Sequence, residues 1–191
     1  AALSRGPRTR GEAEIGTETA SLVRTLAEKR GVLLTVGAGS AILSGLRQVR
    51  QVVLPVWAVS IGIDAPTTSV IIGVAGIVDF SLFFLGGWIM DRFGRMWAIL
   101  PCILGLSFGL LALSLTHEFD ARFGWFVGLA AMLAVANGVG SGILMTLAAD
   151  LADRRNPAPF LGAYRFTVDL GGAGIPMLVT ALTAAVSLPF G

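Results

Sequence analysis

One cysteine (Cys102), one histidine (His117) and one lysine (Lys29) are all that this chain of 191 residues holds of those three types. A lone thiol cannot build an intrachain disulfide framework, and a single histidine beside it leaves no His/Cys set for zinc. No metal site is expected. Charge is scarce too: 14% of residues are Asp, Glu, Lys or Arg, where an ordinary soluble domain carries about 25%. A soluble fold of this length buries only about 70% of its surface and would need more charge outside. The shortage argues against a soluble enzyme, a disordered chain and a nucleic-acid-binding domain, so no nucleic-acid partner is expected. The apolar runs lack period-2 alternation and are too long for strands. No nucleotide-binding motif is present either. Val32 to Ala41, with Gly37 and Gly39, resembles the start of a dinucleotide-binding turn. It has no acidic residue about 20 positions on and its flanks are membrane-like, so no cofactor is expected.

What the chain does have is apolar length: 54% hydrophobic residues and a mean hydropathy of +0.79. A spanning helix needs about 20 largely apolar residues. Five such runs are read, at about 32–61, 66–90, 96–115, 123–149 and 160–186. The fold class is therefore all-α, a polytopic transmembrane bundle with the lipid bilayer as its solvent. Residues 1–31 carry ten of the charged residues. They read as a cytoplasmic linker with one short helix (Glu18 to Arg30), and 32–191 as the helix bundle. Thirteen Arg against one Lys predicts a GC-rich genome, and a bacterial one is expected.

Basic residues follow an alternating pattern that sets orientation. The N-terminal segment holds Arg5, Arg8, Arg10, Arg24, Lys29 and Arg30, and the connection around Asp64 holds none. The next holds Arg92 and Arg95, the fourth only Arg122, and the fifth Arg154 and Arg155. This predicts a multi-pass protein of the plasma membrane, with the N-terminal segment and the loops at 91–95 and 150–159 in the cytoplasm. Trp57, Trp88, Trp97 and Trp125 fall near helix ends, as an aromatic belt would place them.

Inside the spans, a central Arg or Asp costs about 3 kcal/mol on insertion scales, so each asks for a reason. Arg47 and Arg50 lie in the first span, with Gln48 and Gln51. Ser40, Ser44, Arg47 and Gln51 share one helical face. Asp79 lies near the middle of the second span. Arg165 and Asp169 stand at i, i+4 in the fifth. One reading is a polar cavity between helices, built from Arg47, Arg50, Gln51, Asp79, Asn137 and Asp169, with Asp79 as the proton carrier. The other is structural pairing, Asp79 with Arg50 and Asp169 with Arg165. Gly138 and Gly142 form a GxxxG pair suited to close helix approach.

The turn Gly87-Trp-Ile-Met-Asp91-Arg92-Phe-Gly94-Arg95 resembles the G-x-x-x-D-R-x-G-R signature of the major facilitator superfamily of secondary transporters. Its residues also read without the family. Gly87 would let helices pack closely, Asp91 would cap the next helix and Gly94 would permit a tight turn. The resemblance covers residues 31 to 186 and implies a half of that fold. Ala134 stands where the family's first half has an Arg, and the charged segment resembles the loop joining two six-helix halves. Both imply the C-terminal half, helices seven to eleven. Gly162, Gly171 and Pro176 look like the family's antiporter-type helix, with Ile175 in place of a Gly. The closest likeness is to bacterial drug-efflux members.

The resemblance further implies alternating access around a midplane site. Asp91, Arg92 and Arg95 would act as a cytoplasmic gate, with Asp150, Asp153, Arg154 and Arg155 able to join it. The partners implied are a small organic or drug-like solute, protons, and the missing N-terminal six-helix half or a second copy. The function expected is proton-coupled efflux rather than enzymatic chemistry. A non-transporting membrane subunit or sensor, and an inactive truncated fragment, remain the alternatives.

Overall fold

The computed structural model describes residues 30–116, 121–153 and 157–187. Apart from Arg30 and Gly31, the expected linker and its short helix lie outside these residues, as do His117, Arg154 and Arg155. Helix α1 is Arg30–Ser60, with one π-helical stretch at Leu33–Gly37 where the dinucleotide-like motif would have needed a strand. Helix α2 is Ala65–Phe93 and α3 is Met96–Leu115. The fourth apolar stretch is two helices, α4 (Arg122–Val139) and α5 (Ile143–Leu151), and the last is α6 (Ala158–Ser187). Five stretches are long and apolar enough to cross a membrane, and among the described residues there is no strand. The fold is an all-α polytopic bundle.

The connections are short and chemically specified. Asp64 caps α2: its side chain accepts the backbone N–H of Thr67 at 3.1 Å, with Pro66 in the first turn. That backbone hydrogen bond holds the Asp64 carboxyl below the usual carboxylate range. A depressed pKa means the cap's contribution is present above the ordinary value and lost as pH falls through the lowered one. Protection of the Thr67 amide, its exchange rate set against the intrinsic rate at each pH, is expected to fall on acidification below the carboxylate range, and Asp64→Ala to lack that protection at every pH. Protection that stays constant with pH in the native chain would count against the cap. At the other end of α2, Gly94 takes φ 92°, and its N–H donates to the Met90 carbonyl at 3.1 Å. Only glycine holds that φ without strain, so α2 turns into α3 within two residues.

The helices pair through small residues. Gly37 lies against Thr167, Ala41 against Gly171 and Gly45 against Ile175. These contacts advance together along both chains, so α1 and α6 run parallel. A Cβ at Gly171 would strike the Ala41 backbone, and one at Gly45 would strike the Ile175 side chain. Ile175 therefore fills the space that Gly45 leaves. Helices α2 and α4 form a second parallel pair, antiparallel to the first. Val70–Val78 faces Val127–Ala131 near one end. Farther along, Gly138 meets Asp79 and Leu82, and Gly86 meets Val139. Helix α3 closes the bundle against α4, with Leu106, Leu113, Phe126 and Leu133 fully buried.

Trp57 does not belong to a belt. It is 8% exposed and stacks on Phe126 with ring centroids 5.7 Å apart, so it packs α1 to α4. Trp88, Trp97 and Trp125 are exposed. The outward surface carries Phe80, Phe84, Leu104 and Phe108, all exposed, as a lipid-facing bundle requires.

Candidate functional site

Asp79 is the central residue of α2, fourteen positions from Ala65 and from Phe93. That is about 21 Å from either end at 1.5 Å per residue. Its carboxylate is held on two sides. Arg50 Nη2 donates to Oδ2 at 2.9 Å, and Asn137 Nδ2 donates to the same oxygen at 2.7 Å. The side chains of Arg50 and Asp79 are 9% and 14% exposed. Arg50 also donates from Nη1 to the Leu133 carbonyl of α4 at 3.1 Å. Three helices thus meet at one ion pair.

Arg47, one turn before Arg50, reaches a different acceptor. Its Nη2 donates to the Gly140 carbonyl at 2.6 Å and lies 3.9 Å from Cys102 Sγ on α3. Gly140 is where α4 stops. Ser141 N–H donates back to the Gly138 carbonyl, and Gly142 takes φ 82° before α5 begins. A helix ends with unpaired carbonyls and a partial negative charge, which suits a guanidinium. A Cβ at Gly140 would run into Cys102 and would stand 3.1 Å from Arg47 Nη2. Among the described residues, three buried side-chain polar atoms keep no partner: Arg47 Nε, Arg50 Nε and Asn137 Oδ1.

Four of the six expected cavity residues therefore converge: Arg47, Arg50, Asp79 and Asn137. The other two do not. Gln51 is exposed, because the helical phase that turns Arg50 inward turns Gln51 toward the outside of α1. Asp169 is also on the outside and pairs along its own helix with Arg165 at 2.9 Å, the side chains 58% and 65% exposed. The convergent four form a packed knot. The described grooves are lined by other residues; one of 520 Å³ between α1 and α6 runs along Val52, Val56, Pro176 and Thr180.

The signature turn also divides. Gly87 has open space where a Cβ would stand, whereas a Cβ at Gly86 would meet the Val139 carbonyl oxygen. Close packing belongs to Gly86, one position earlier. Asp91 lies in the last turn of α2 and does not cap α3, whose N-cap is Arg95 without a side-chain bond. Arg95 makes an ion pair with Asp150 at the end of α5. Arg92 lies over the rings of Trp88 and Phe93, at 5.8 and 6.0 Å. Among the packing glycines, Gly138 and Gly171 touch neighbouring backbone. Gly142 serves the helix break, and Gly162 is exposed. Pro176 lies within α6 and helps line the 520 Å³ groove.

Some partners leave little trace in the sequence. Tyr164, the only tyrosine, donates to Ser40 Oγ at 2.6 Å in a buried contact between α6 and α1. The Leu133 and Gly140 carbonyls, two of the main acceptors at the site, are backbone atoms that no residue type announces.

No group of three or more His, Cys, Asp or Glu able to hold a metal occurs among the described residues. The arrangement offers binding and charge exchange: two guanidiniums, one carboxylate and one amide, brought together inside the spans. Neither the curated proteins nor the solved structures compared with the chain give a match. A sequence model of the Major Facilitator Superfamily matches residues 4–189. With five apolar spans and a charged knot between them, the chain is a multi-pass membrane protein and belongs to that family of transporters.

Proposed function

We propose that the bundle is part of a proton-coupled exporter of small organic solutes, working by alternating access, with Asp79 as the proton carrier. The observation that carries this reading is the Arg50–Asp79–Asn137 knot at the midpoint of α2. A carboxylate there is stabilised by the adjacent guanidinium and destabilised by low dielectric. A shape change that draws Arg50 away favours protonation, and one that restores it favours release. That is how a proton gradient can bias two conformations.

In this reading the turn at Asp91–Arg95 lies in the cytoplasm of a bacterial cell whose plasma membrane holds the protein. Asp91 pairs with nothing among the described residues and stands at the negative end of a helix, where an acid is disfavoured unless a partner meets it. That supports a gate: Asp91 and Arg92 engage the other half of the transporter in one state, while Arg95 stays tied to Asp150. The same reading places the chain as the C-terminal half, resembling drug-efflux members, beside an N-terminal half or a second copy.

The test uses the full-length transporter in proteoliposomes with an imposed pH gradient and a panel of small organic solutes. Uphill, proton-driven flux is expected in the native protein. Asp79→Asn should abolish it while leaving solute exchange across the same membrane. Unchanged proton-driven flux in the variant would overturn the role of Asp79.

A further inference from the structure

We infer that Arg47 is the binding group for an organic anion, with a carboxylate as the group it takes, and that this is the solute class the bundle accepts. The inference deepens the transport reading above and rests on it. It follows from an imbalance of charge. The knot holds two guanidiniums and one carboxylate. Asp79 is taken by Arg50, which binds Oδ2 directly. No carboxylate among the described residues pairs with Arg47.

What Arg47 has is a carbonyl, a thiol and a buried Nε with no partner. A guanidinium carries five N–H donors. Helix end α4 supplies a partial charge of about one half at most, enough to orient the cation and too little to neutralise it. A charge left uncompensated in a low-dielectric interior costs several kcal/mol. The arrangement persists at low cost when a mobile counter-ion arrives. A carboxylate matches the planar guanidinium with two parallel N–H···O bonds. A cationic solute meets net positive charge and is disfavoured; a neutral one leaves the imbalance untouched.

Gly140 and the break after it remove the side chain that would crowd Nη2. Arg50 stands one turn away with its own Nε unpartnered, a second cation for the same anion.

The experiment uses the full-length protein in mild detergent and three ring-matched probes: benzoate, benzyl alcohol and benzylammonium, with chloride salts at equal ionic strength. Benzoate should raise the thermal midpoint, and the other two should not. Arg47→Lys, which keeps the charge but not the two parallel bonds, should retain only part of the effect, and Arg47→Gln should weaken benzoate about tenfold or more, the weight of one charge-assisted hydrogen bond. Should Arg47→Gln fail to fold, Arg47→Lys is the variant titrated: isothermal calorimetry should give saturable benzoate binding in the native protein, weaker binding in Arg47→Lys, and none with benzyl alcohol in either. Benzoate acting no better than benzyl alcohol, or equally on Arg47→Gln, overturns the assignment. Proton-driven flux with no benzoate effect removes the anion class and leaves the transport reading. Benzoate binding at Arg47 in a protein without such flux removes the transport reading instead.

Discussion

Truncating Arg50 to Ala is expected to destabilise the folded bundle by about 3–5 kcal/mol, the range for breaking a buried ion pair from one side. The magnitude comes from what remains. Asp79 would keep Asn137 as a donor but lose its counter-charge, at the middle of a 29-residue apolar helix. The Leu133 carbonyl would lose its extra donor as well. Removing both charges is a different experiment. The double variant Arg50→Met with Asp79→Leu should be more stable than Arg50→Met alone, because no orphaned ion is left, yet it should not carry proton-driven flux. Thermal denaturation of the full-length protein in detergent, followed by tryptophan fluorescence, gives the double-mutant cycle. If Arg50→Ala melts within about 0.5 kcal/mol of the native protein, the range of surface substitutions away from special features, the pair is open to water and its burial counts for nothing.

The second large effect is a contrast between neighbours. Gly86→Val should cripple folding, while Gly87→Val should leave it nearly intact. At Gly86 the first added carbon already collides with the Val139 carbonyl oxygen, with the Gly138 carbonyl oxygen 3.1 Å away. Backbone cannot rotate aside as a side chain can, so α2 and α4 must separate. Overpacking costs about 1–3 kcal/mol and occasionally more, and a separated pair would also pull Asp79 from Asn137. At Gly87 nothing stands within 4 Å of the added carbon. Yields of monodisperse protein in detergent read the difference directly. Equal losses at both positions would mean that the signature turn, and not the α2–α4 contact, needs glycine.

The same pair of positions shows what sequence reasoning can reach. The number of spans and the fold class follow from hydropathy, because only long apolar runs survive in lipid. The four residues of the knot could be shortlisted by cost: an ion or amide in mid-span must be met by something. Of their partners, the Arg50–Asp79 pairing is legible in the same way, whereas the Leu133 and Gly140 carbonyls are not. Arg50 and Gln51 are adjacent and both polar, yet one enters the bundle and the other faces out. Helical phase orders residues around an axis without saying where the neighbours stand. Asp169 looked like its equal Asp79, but its Arg165 lies on the same helix, so the pair can sit outside. Gly86 and Gly87 are indistinguishable until α4 is placed. The break at Gly140–Gly142 was hidden because glycines spaced for close packing read the same as glycines spaced for a turn; only the φ of 82° at Gly142 tells them apart.

The two parallel pairs carry a consequence for how motion can spread. Each is welded by backbone-to-glycine contact, α1 to α6 and α2 to α4, so each behaves as a stiff lever. Arg47 and Arg50 of the first lever hydrogen-bond to the second at three acceptors: the Gly140 carbonyl, the Leu133 carbonyl and Asp79. Two of these acceptors are peptide oxygens that never change charge. The third is a carboxylate. The joint is therefore a clutch with three plates, one ionic and two dipolar, and any sliding of one lever past the other has to release them together.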